Sequence, residues 1–271
     1  MAIKDYLRTR FFPHLWCPGC GHGIVLNNLL RAVDELQIPK NGIVMVSGIG
    51  CSSRIAGYVD FHTMHTIHGR ALAFATGIKL SRPELTLLVP MGDGDALAIG
   101  GNHFIHAARR NIAITAIVLN NRIYGMTGGQ HSPLTGLGMQ ASTAPYGSID
   151  PAFNIASLAI AAGATFVARA TTFHAQAMQK IFCQAIRHKG FSVVEVLSQC
   201  PTCFGAKNNM ENAVDMLRWY EENTCPVGKK SEHPQGCIER GVFVDISRPE
   251  YCEQYQAVIR RASGHAREGN P

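Results

Sequence analysis

The sequence lacks the features that mark membrane, secreted and nucleic-acid-binding proteins. No stretch approaches about twenty uninterrupted apolar residues, so we expect no transmembrane helix. Residues Met1–His14 carry charge and lack the apolar run of a secretory signal, so we expect a cytoplasmic protein. The basic residues are scattered and are not interleaved with aromatic residues, so nucleic acid is not an expected partner.

Charged residues are scarce, at 16% of the 271 positions, whereas hydrophobic residues make up 46%. This balance suggests that another chain or a cofactor, rather than water, covers part of the surface. The formal net charge is +6, which fits either a solvated basic surface or docking to an acidic partner such as a small electron carrier. The length suits one large α/β domain with a sizeable core.

The chain has nine cysteines, an odd number, so they cannot all be paired in disulfides within the chain. A disulfide framework is therefore not expected, and metal or cluster ligation explains some of the cysteines better. Cys17 and Cys20 form a Cys-x-x-Cys pair, which fits a zinc half-site, a redox pair, a cluster half-site or two buried thiols. Cys183 has apolar neighbours on a predicted helix and is assigned to the core.

Apolar runs alternate with helical stretches over the first two thirds of the chain. Such runs are typical of strands buried on both faces, and the alternation predicts an α/β fold with a mostly parallel sheet, right-handed crossovers and flanking helices. The predicted strands are Gly42–Ser47, Leu85–Met91, Ile112–Leu119, Thr165–Ala168 and Phe191–Leu197. The predicted helices are Asn27–Leu36, Ala96–Arg110, Ser157–Ala162, Phe173–Lys189 and a stretch near Asn208–Trp219.

The composition changes after residue 223. Residues Thr224–Pro249 are rich in Pro, Gly, Lys and Cys, which predicts an irregular extension rather than a second core. We therefore divide the chain into one domain, residues 1–223, and a C-terminal extension or arm, residues 224–271. Cys225, Cys237 and Cys252 lie in this extension, where no Cys-x-x-Cys or histidine spacing supports a second metal site.

One segment combines a strand, a glycine-rich turn, a helix and a second strand. Gly92-Asp93-Gly94-Asp95 follows the strand Leu85–Met91, and Asn120-Asn121 ends the next strand. Parallel strands lead to the same sheet edge, where ligands of open α/β sheets bind, so Asp93 and Asn121 are expected to lie close together. Carboxylate, amide and carbonyl oxygens suit Mg²⁺, while the glycines and the helix starting near Ala96 suit a diphosphate.

This order of elements resembles that of the thiamine diphosphate enzymes, whose signature is Gly-Asp-Gly followed at a set interval by Asn-Asn. The resemblance implies that Asp93, the Asn121 side chain and the Ile123 carbonyl bind Mg²⁺. Asp95 is expected to cap the following helix rather than to bind metal. The residues that the resemblance assigns to the cofactor are Gly92, Asp93, Gly94, Asp95, Asn121, Ile123, Tyr124, Gly125, Met126, Thr127, Cys51, Ser52 and His68.

A narrower resemblance rests on four further motifs, which are Trp16-Cys17-Pro18-Gly19-Cys20-Gly21-His22-Gly23, Gly50-Cys51-Ser52-Ser53, His68-Gly69-Arg70-Ala71 and Cys200-Pro201-Thr202. Between Cys17 and Trp219 the chain resembles the β subunit of the 2-oxoacid:ferredoxin oxidoreductases. By that pattern, the ligands of a [4Fe–4S] cluster are Cys17, Cys20, Cys51 and Cys200. Cys203 is the rival fourth ligand, and Cys200 is preferred because the family ligand precedes Pro-Thr.

The resemblance implies oxidative decarboxylation of a 2-oxoacid with coenzyme A, giving acyl-CoA and CO₂, with electrons passing through the cluster to ferredoxin. The loop from Met126 to Gln130 is similar to that of the 2-oxoglutarate enzymes, although Pro133-Leu134-Thr135 departs from the usual Pro-Thr-Thr. His68 and Arg54 are the expected catalytic residues. Arg54 either binds a distal substrate carboxylate or anchors a partner chain. His62 and His65 are assigned to a loop without metal.

The family also implies a partner. Thiamine enzymes need a carboxylate on the aminopyrimidine ring, and the resemblance places this glutamate in the pyrimidine-binding domain of an α subunit, so the single chain is expected to be inactive. One alternative is a non-oxidative thiamine diphosphate decarboxylase or synthase subunit, which would have no use for four cysteines at strand ends. Another is a zinc-stabilised interaction module, which gives no reason for Asp93 and Asn121 to share a sheet edge.

Overall fold

A computed structural model of the chain describes residues 3–232 and 236–264. Helices and strands alternate along it and build a central sheet that is covered on both faces. The helices are α1 (His22–Glu35), α2 (Ile55–Tyr58), α3 (Ala71–Ser81), α4 (Asp93–Leu97), α5 (Gly101–Arg110), α6 (Ile155–Ala161), α7 (Ala175–Arg187), α8 (Ala213–Asn223) and α9 (Tyr251–Ala262). The strands are β1 (Ile43–Ser47), β2 (His62–His65), β3 (Thr86–Gly92), β4 (Thr115–Asn120), β5 (Ile123–Tyr124), β6 (Gln130–His131), β7 (Phe166–Thr171), β8 (Ser192–Leu197), β9 (Thr224–Pro226) and β10 (Ile238–Asp245).

Eight of these strands pair in the order β2-β1-β3-β4-β8-β7-β10-β9, while β5 and β6 form a separate hairpin. β10 runs antiparallel to β7, and the other pairs of the eight-stranded sheet are parallel. The mostly parallel sheet with flanking helices that the alternation predicts is therefore confirmed. The neighbouring strands β1, β3, β4 and β8 end at the same edge of this sheet.

The sheet is buried on both faces because successive side chains enter two different apolar cores. In β1, Ile43 and Met45 pack with residues of α1 and α7, whereas Val44 and Val46 pack with residues of α3 and α5. All five residues of β1 are buried. Because full burial of one such side chain contributes about 1.5–3 kcal/mol, both faces favour apolar residues, and the strand reads as an uninterrupted apolar run.

Two elements differ from the sequence-based expectation. Residues His62–His65, which we assigned to a loop, form the edge strand β2 beside β1. This strand is mostly exposed, so it carries none of the apolar signal of a central strand. The helix expected over Ala96–Arg110 is divided into α4 and α5. Between them, the backbone of Gly100 lies so close to the carbonyl oxygen of Asp95 that a Cβ atom would clash with it, so the close approach requires a glycine.

Residues 224–232 and 236–264 also differ from the irregular arm that their composition predicts. β10 pairs with β7, β9 pairs with β10, and α9 packs on the core through the buried Cys252. Glu250 fixes the start of α9, because its carboxylate accepts hydrogen bonds from the backbone N–H groups of Glu253 and Ala113. Amino-acid composition does not show which strands pair when they lie far apart in the sequence. The division of the chain at residue 223 stays a prediction, and residues 265–271 lie outside the described ranges.

The cysteines fall into three groups in this fold. Cys225 and Cys237 form a disulfide between the starts of β9 and β10, with their Cα atoms 5.9 Å apart, although the odd cysteine count argued against disulfides. Cys183 and Cys252 are free and buried, as predicted for Cys183. The remaining five are free and lie near the carboxyl edge of the sheet. Within the described ranges, no helix is long and apolar enough to cross a membrane.

Candidate active site

A cavity opens at the carboxyl edge of the sheet, where β1, β3 and β4 end. Each residue that the resemblance assigns to the cofactor contributes to its wall, from Cys51 and Ser52 through the Gly92–Asp95 turn to Thr127. His22, Ile49, Gly50 and Leu119 also line it. The parallel order of the strands thus brings segments from five parts of the chain into one concave site.

Asp93 forms the centre of the glycine-rich turn, with only 2% of its surface exposed. Its Oδ1 accepts a hydrogen bond from the backbone N–H of Gly94 at 2.9 Å, and its Oδ2 accepts one from the Ser132 hydroxyl at 2.7 Å. Burial nevertheless raises the pKa of the Asp93 carboxyl to about 7. Because a bound cation would stabilise the ionised form of such a desolvated carboxylate, the environment of Asp93 fits a metal ligand.

The residues on either side of Asp93 are glycines, which carry no side chain. A Cβ atom on Gly94 would overlap the ring of Tyr124, and one on Gly92 would lie 3.2 Å from the Ser52 hydroxyl. The Ser52 hydroxyl is buried and has no hydrogen-bond partner among the described residues. A buried hydroxyl without a partner is costly, and a phosphate oxygen bound in the cavity would accept its hydrogen bond. This part of the wall therefore fits a diphosphate group.

The turn after β4 presents Asn121 to the cavity. Asn120 fixes this turn from behind, since its Oδ1 accepts a hydrogen bond from the backbone N–H of Arg122 at 3.2 Å. Arg122 has φ of +63°, a left-handed conformation that non-glycine residues rarely adopt. Asn121 is buried, and its Oδ1 accepts a long hydrogen bond of 3.3 Å from the backbone N–H of Ile123. An amide oxygen held so weakly can act as a metal ligand instead.

Asp95 does not cap a helix as we expected. It lies inside α4, its Oδ1 accepts a hydrogen bond from the backbone N–H of Gly69 at 2.7 Å, and Nδ1 of His68 lies 2.9 Å from the same oxygen. The His68 ring also lies edge-on to Tyr124, with 5.9 Å between ring centroids. Asp95 therefore fixes the loop that carries His68 and orients its imidazole at the wall of the cavity.

Cysteines that are distant in the sequence converge on the same edge. Cys17 and Cys20 precede α1, Cys51 follows β1, and Cys200 follows β8. The Sγ atoms of Cys51 and Cys200 lie 3.5 and 3.9 Å from the position that a Cβ of Gly125 would occupy. Burial raises the pKa of the Cys20 thiol to about 12, and the thiols of Cys200, Cys51 and Cys17 add to this effect because they lie close by.

Cys203 lies in the same group. A hydrogen bond from its thiol lowers the pKa of Cys200 to about 6, and its Sγ lies 3.4 Å from the carbonyl oxygen of Gly125. In residues 3–232 and 236–264, no three His, Cys, Asp or Glu side chains are arranged so that they could hold a metal ion. Four thiols from three segments that gather at one edge are nevertheless a donor set that fits an iron–sulfur cluster.

Sequence reasoning assigned no role to two residues at this edge. Ser132 reaches Asp93 across 39 positions, and no spacing in the sequence signals that contact. His22 begins α1, is 1% exposed, and places Nδ1 3.1 Å from the Ser198 hydroxyl. Burial lowers the pKa of His22 to about 4, so its imidazole is neutral. The position of His22 beside the Cys17–Cys20 pair is a signal that could have identified it.

The structure does not bring Arg54 to the wall of this cavity. Arg54 is exposed in the 3₁₀ turn Ser52–Arg54 and lines a neighbouring cavity with Arg8 and Arg10. His62 and His65 are exposed on β2, and Nδ1 of His65 lies 3.1 Å from the Ser47 hydroxyl. These side chains are therefore placed beside the cavity rather than in it.

Comparison with known proteins extends the motif-based resemblance. The family described as thiamine pyrophosphate enzyme, C-terminal TPP binding domain, matches residues 48–196. The 2-oxoglutarate synthase subunit KorB of Methanocaldococcus jannaschii is 48% identical over 264 residues, which cover 96% of this chain and 97% of the relative. The 2-oxoacid:ferredoxin oxidoreductase subunit beta of a Sulfolobus species is 40% identical over 238 residues, covering 84% of this chain and 75% of the relative.

A solved structure is also similar along the whole chain. It is the 2-oxoglutarate:ferredoxin oxidoreductase from Magnetococcus marinus with 2-oxoglutarate, coenzyme A and succinyl-CoA bound. The TM-score is 0.88 at 36% sequence identity, and the match covers 100% of this chain and 93% of the other. The likeness therefore includes residues 224 onward, which the sequence motifs left unmatched.

Proposed function

Since this chain belongs to the β-subunit family of the 2-oxoacid:ferredoxin oxidoreductases, which are thiamine diphosphate enzymes, we propose that it holds the thiamine diphosphate, Mg²⁺ and [4Fe–4S] cluster of such an enzyme in the cytoplasm. The proposed reaction is oxidative decarboxylation of a 2-oxoacid with coenzyme A, giving acyl-CoA and CO₂ and passing electrons to ferredoxin. One observation carries this proposal: Asp93, Asn121 and Cys51 line one cavity, and Cys200 faces the same wall at Gly125.

Mg²⁺ would be held by the Asp93 carboxylate, the Asn121 amide oxygen and the Ile123 carbonyl. The desolvation of Asp93 and the weak hydrogen bond of Asn121 support this role, because both groups gain a partner when the metal binds. The diphosphate would lie against the Gly92–Asp95 turn, where the Ser52 hydroxyl lacks a partner among the described residues. Tyr124, Gly125, Met126 and Thr127 form the opposite part of the wall.

The cluster would be held by Cys17, Cys20, Cys51 and Cys200, with Cys203 as the rival fourth ligand. Free thiols at three segments of the same edge support this assignment. Trp16 would hold Cys51 in place, since its indole N–H donates a 2.7 Å hydrogen bond to the carbonyl oxygen of Cys51. The low pKa of Cys200 favours a thiolate, which is the form that binds iron.

Thiamine diphosphate held in this cavity would supply an electron sink for decarboxylation, and a cluster held by the cysteines would supply one-electron redox chemistry. The chain would contribute orientation. Asp95 lies 2.9 Å from Nδ1 of His68 and would orient the imidazole toward a ligand in the cavity. The buried imidazole of His22 is neutral and so adds no charge to the wall of the cavity.

A partner chain would complete the site. The cavity wall contains Asp93 and Asp95 but no glutamate among the described residues, so the carboxylate for the aminopyrimidine ring must come from elsewhere. Four exposed apolar side chains lie in the cavity wall or next to the His68–Gly69 loop: Ile49 and Met126 line the cavity, Ile67 precedes His68, and Ile99 lies against Gly69, with exposed fractions of 39%, 43%, 65% and 50%. We refer to them as the apolar rim. An α subunit that carries the pyrimidine-binding domain and its glutamate would cover this rim.

We propose 2-oxoglutarate as the substrate, because the loop from Met126 to Gln130 is similar to that of the 2-oxoglutarate enzymes and the KorB relatives are named for 2-oxoglutarate. A non-oxidative decarboxylase is the second candidate function. The gathering of free cysteines beside the cavity favours the oxidative reaction over it. A zinc-stabilised module would not require the cavity around Asp93.

The test is coenzyme A-dependent reduction of a viologen dye by the anaerobically purified complex with its partner subunit. The substrates are 2-oxoglutarate and pyruvate, each with and without thiamine diphosphate. Reduction that requires thiamine diphosphate and coenzyme A and is faster with 2-oxoglutarate is the expected result. A colourless, iron-free complex would contradict the cluster, and faster reduction with pyruvate would contradict the substrate.

A further inference from the structure

A second cavity lies beside the cysteines and differs in character from the first. Its volume is about 670 Å³, and its walls include three arginines and three aromatic residues, Arg8, Arg10, Arg54, Phe11, Phe12 and Tyr58. We call it the arginine groove. His65 also lines it, whereas no acidic side chain from residues 3–232 and 236–264 does. The groove therefore presents positive charge next to exposed aromatic surface.

The charge of the groove is not neutralised within the described part of the chain. None of its three arginines forms a salt bridge there. Arg8 donates hydrogen bonds to the carbonyl oxygen of Phe61 and the hydroxyl of Thr63, which fix its position without cancelling its charge. The carboxylate of Asp60 lies nearby, but it is paired with Lys40 at 2.7 Å. Lys40 is also the main reason that the pKa of Asp60 is low, ahead of Arg8 and Arg10.

A chain of contacts joins the groove to the cysteines. The ring of Phe12 lies 5.5 Å from that of Tyr58, which lies 4.8 Å from Trp16, and the indole of Trp16 donates to the carbonyl of Cys51. Cys17, the next residue after Trp16, is exposed. Arg54 lies on the 3₁₀ turn that immediately follows Cys51. The groove is thus the basic surface that borders the exposed side of the proposed cluster site.

Apolar side chains lie between the charges of the groove. Phe11, Phe12 and Leu15 are 46%, 37% and 73% exposed. The guanidinium of Arg10 lies over the Phe11 ring, 4.8 Å from its centroid. Exposed aromatic residues next to arginines are typical of protein–protein interfaces. Basic residues around them attract an acidic partner and speed its encounter.

We propose that the arginine groove is the docking surface for the small acidic electron-carrier protein. This role presupposes the function proposed above. Charge complementarity identifies the partner as acidic, and the contact chain through Trp16 to Cys51 identifies it as an electron acceptor. Docking here would bring the acceptor to the exposed side of Cys17. The net charge of +6 on the chain adds to the attraction at long range.

The experiment uses the anaerobic complex with its partner subunit and compares Arg10→Glu with Arg10→Lys. Arg10 is exposed, and its contact with the Phe11 ring is one that lysine can also make. The control is Arg260→Glu on α9, which makes the same charge change near the opposite edge of the sheet, where Glu250 binds Ala113 before β4. Four quantities are measured: the KM for ferredoxin, the Kd for oxidised ferredoxin by calorimetry, the rate of viologen reduction, and the KM for coenzyme A in the viologen assay.

Arg10→Glu is expected to raise both the KM and the Kd for ferredoxin about tenfold at low salt, with a smaller effect at high salt. Viologen reduction should stay unchanged, because the dye needs no docking surface. Arg10→Lys and Arg260→Glu should resemble the unaltered complex. An unchanged Kd for ferredoxin in Arg10→Glu would overturn the docking role.

If coenzyme A or the partner subunit binds in the groove instead, the same experiment gives a different result for each. If Arg10→Glu raises the KM for coenzyme A in the dye assay, the groove binds the phosphates of coenzyme A and the docking role is overturned. If Arg10→Glu fails to co-purify with the partner subunit, the groove belongs to the subunit interface, which also overturns it. An unaltered complex that reduces no dye would contradict the proposed function, and the Kd comparison would then decide the docking role by itself.

Discussion

Asp93 is the single residue on which metal and cofactor binding should depend most. Asp93→Asn keeps the size of the side chain and its hydrogen bond with Ser132, but removes the charge that attracts Mg²⁺. We expect the Kd for thiamine diphosphate with Mg²⁺ to rise about 100-fold, which corresponds to about 2.7 kcal/mol. Calorimetric titration of the complex measures this change. Asp215→Asn, at an exposed position on α8, is the matched control and should leave the Kd unaltered.

The same substitution should change the pH dependence of stability when no metal is bound. The pKa of Asp93 is raised from 3.8 to about 7, so the folded state binds the proton more tightly than the unfolded state. Stability that protonated Asp93 contributes at low pH is therefore lost as the pH rises from about 4 to about 7. In urea unfolding, the free energy of unfolding should fall less over this pH range for Asp93→Asn than for the unaltered protein. Parallel pH profiles for the two proteins would contradict the assignment.

The choice between Cys200 and Cys203 as the fourth cluster ligand can be decided by paired serine variants. Both lie near Gly125, but Cys200 directly precedes Pro201-Thr202, whereas the Sγ of Cys203 lies 3.4 Å from the carbonyl oxygen of Gly125. Cys200→Ser should lose most of its iron and its visible absorbance, whereas Cys203→Ser should retain both. Iron analysis of the two anaerobic complexes provides the comparison. Retention of iron in Cys200→Ser with loss in Cys203→Ser would reverse the assignment.

Motif residues could be placed from the sequence because strand order brings strand ends together. Gly92–Asp95 and Asn121 line one cavity for that reason. The roles of individual atoms could not be predicted in the same way. Ser132 reaches Asp93 from a loop, and Asp95 binds His68 instead of capping a helix. Both contacts depend on how loops fold back onto the sheet edge, and neither loop has a periodic pattern that fixes its path.

At the scale of strands, a buried ion pair crosses the sheet behind the site. Arg169 of β7 donates to Glu195 of β8 at 2.7 Å, and Glu195 accepts from Asn120 of β4 at 2.8 Å. Arg169 also donates to the carbonyl of Glu239 in β10. This network therefore joins the C-terminal strand to the turn that presents Asn121. The side chains of Arg169 and Glu195 are only 9% and 3% exposed.

Breaking this network should be strongly destabilising. Arg169→Met leaves the carboxylate of Glu195 buried without its partner, which costs about 3–5 kcal/mol of unfolding free energy. Urea unfolding of the anaerobic protein measures the loss. The control is Arg82→Met, which breaks the exposed pair with Glu84 and should cost less than about 1 kcal/mol. Equal losses of unfolding free energy in the two variants would show that burial of the Arg169–Glu195 pair does not increase its effect on stability.

Prediction of the elements succeeded where burial leaves a pattern in the sequence. Strands such as β4 and β8 are buried at every position and appear as apolar runs. β2 is mostly exposed and carries no such pattern, and β10 is half-buried and rich in polar residues. Their places in the sheet depend on backbone pairing with β1 and β7. Composition alone therefore could not distinguish the segment after residue 223 from an irregular arm.

At the scale of the whole molecule, the apolar rim is the surface that a partner subunit is expected to cover. Ile67 is 65% exposed and adjoins His68, so a charge there should oppose docking without disturbing the core. We expect Ile67→Asp to reduce the yield of complex several-fold in co-purification. Val258→Asp on α9, near the opposite edge of the sheet, is the control and should assemble normally. Normal assembly of Ile67→Asp would show that the apolar rim is not part of the interface with the partner subunit.

The joint presence of cofactor and cluster in one reacting site can be tested by a single turnover without any external electron acceptor. The anaerobic complex, loaded with thiamine diphosphate and Mg²⁺, is mixed rapidly with 2-oxoglutarate and coenzyme A while the visible absorbance of the cluster is followed. We expect bleaching of this absorbance with the complex, and no change with the isolated chain or with Asp93→Asn. Unchanged absorbance in a complex that is fully loaded and brown, or bleaching with the isolated chain, would contradict it.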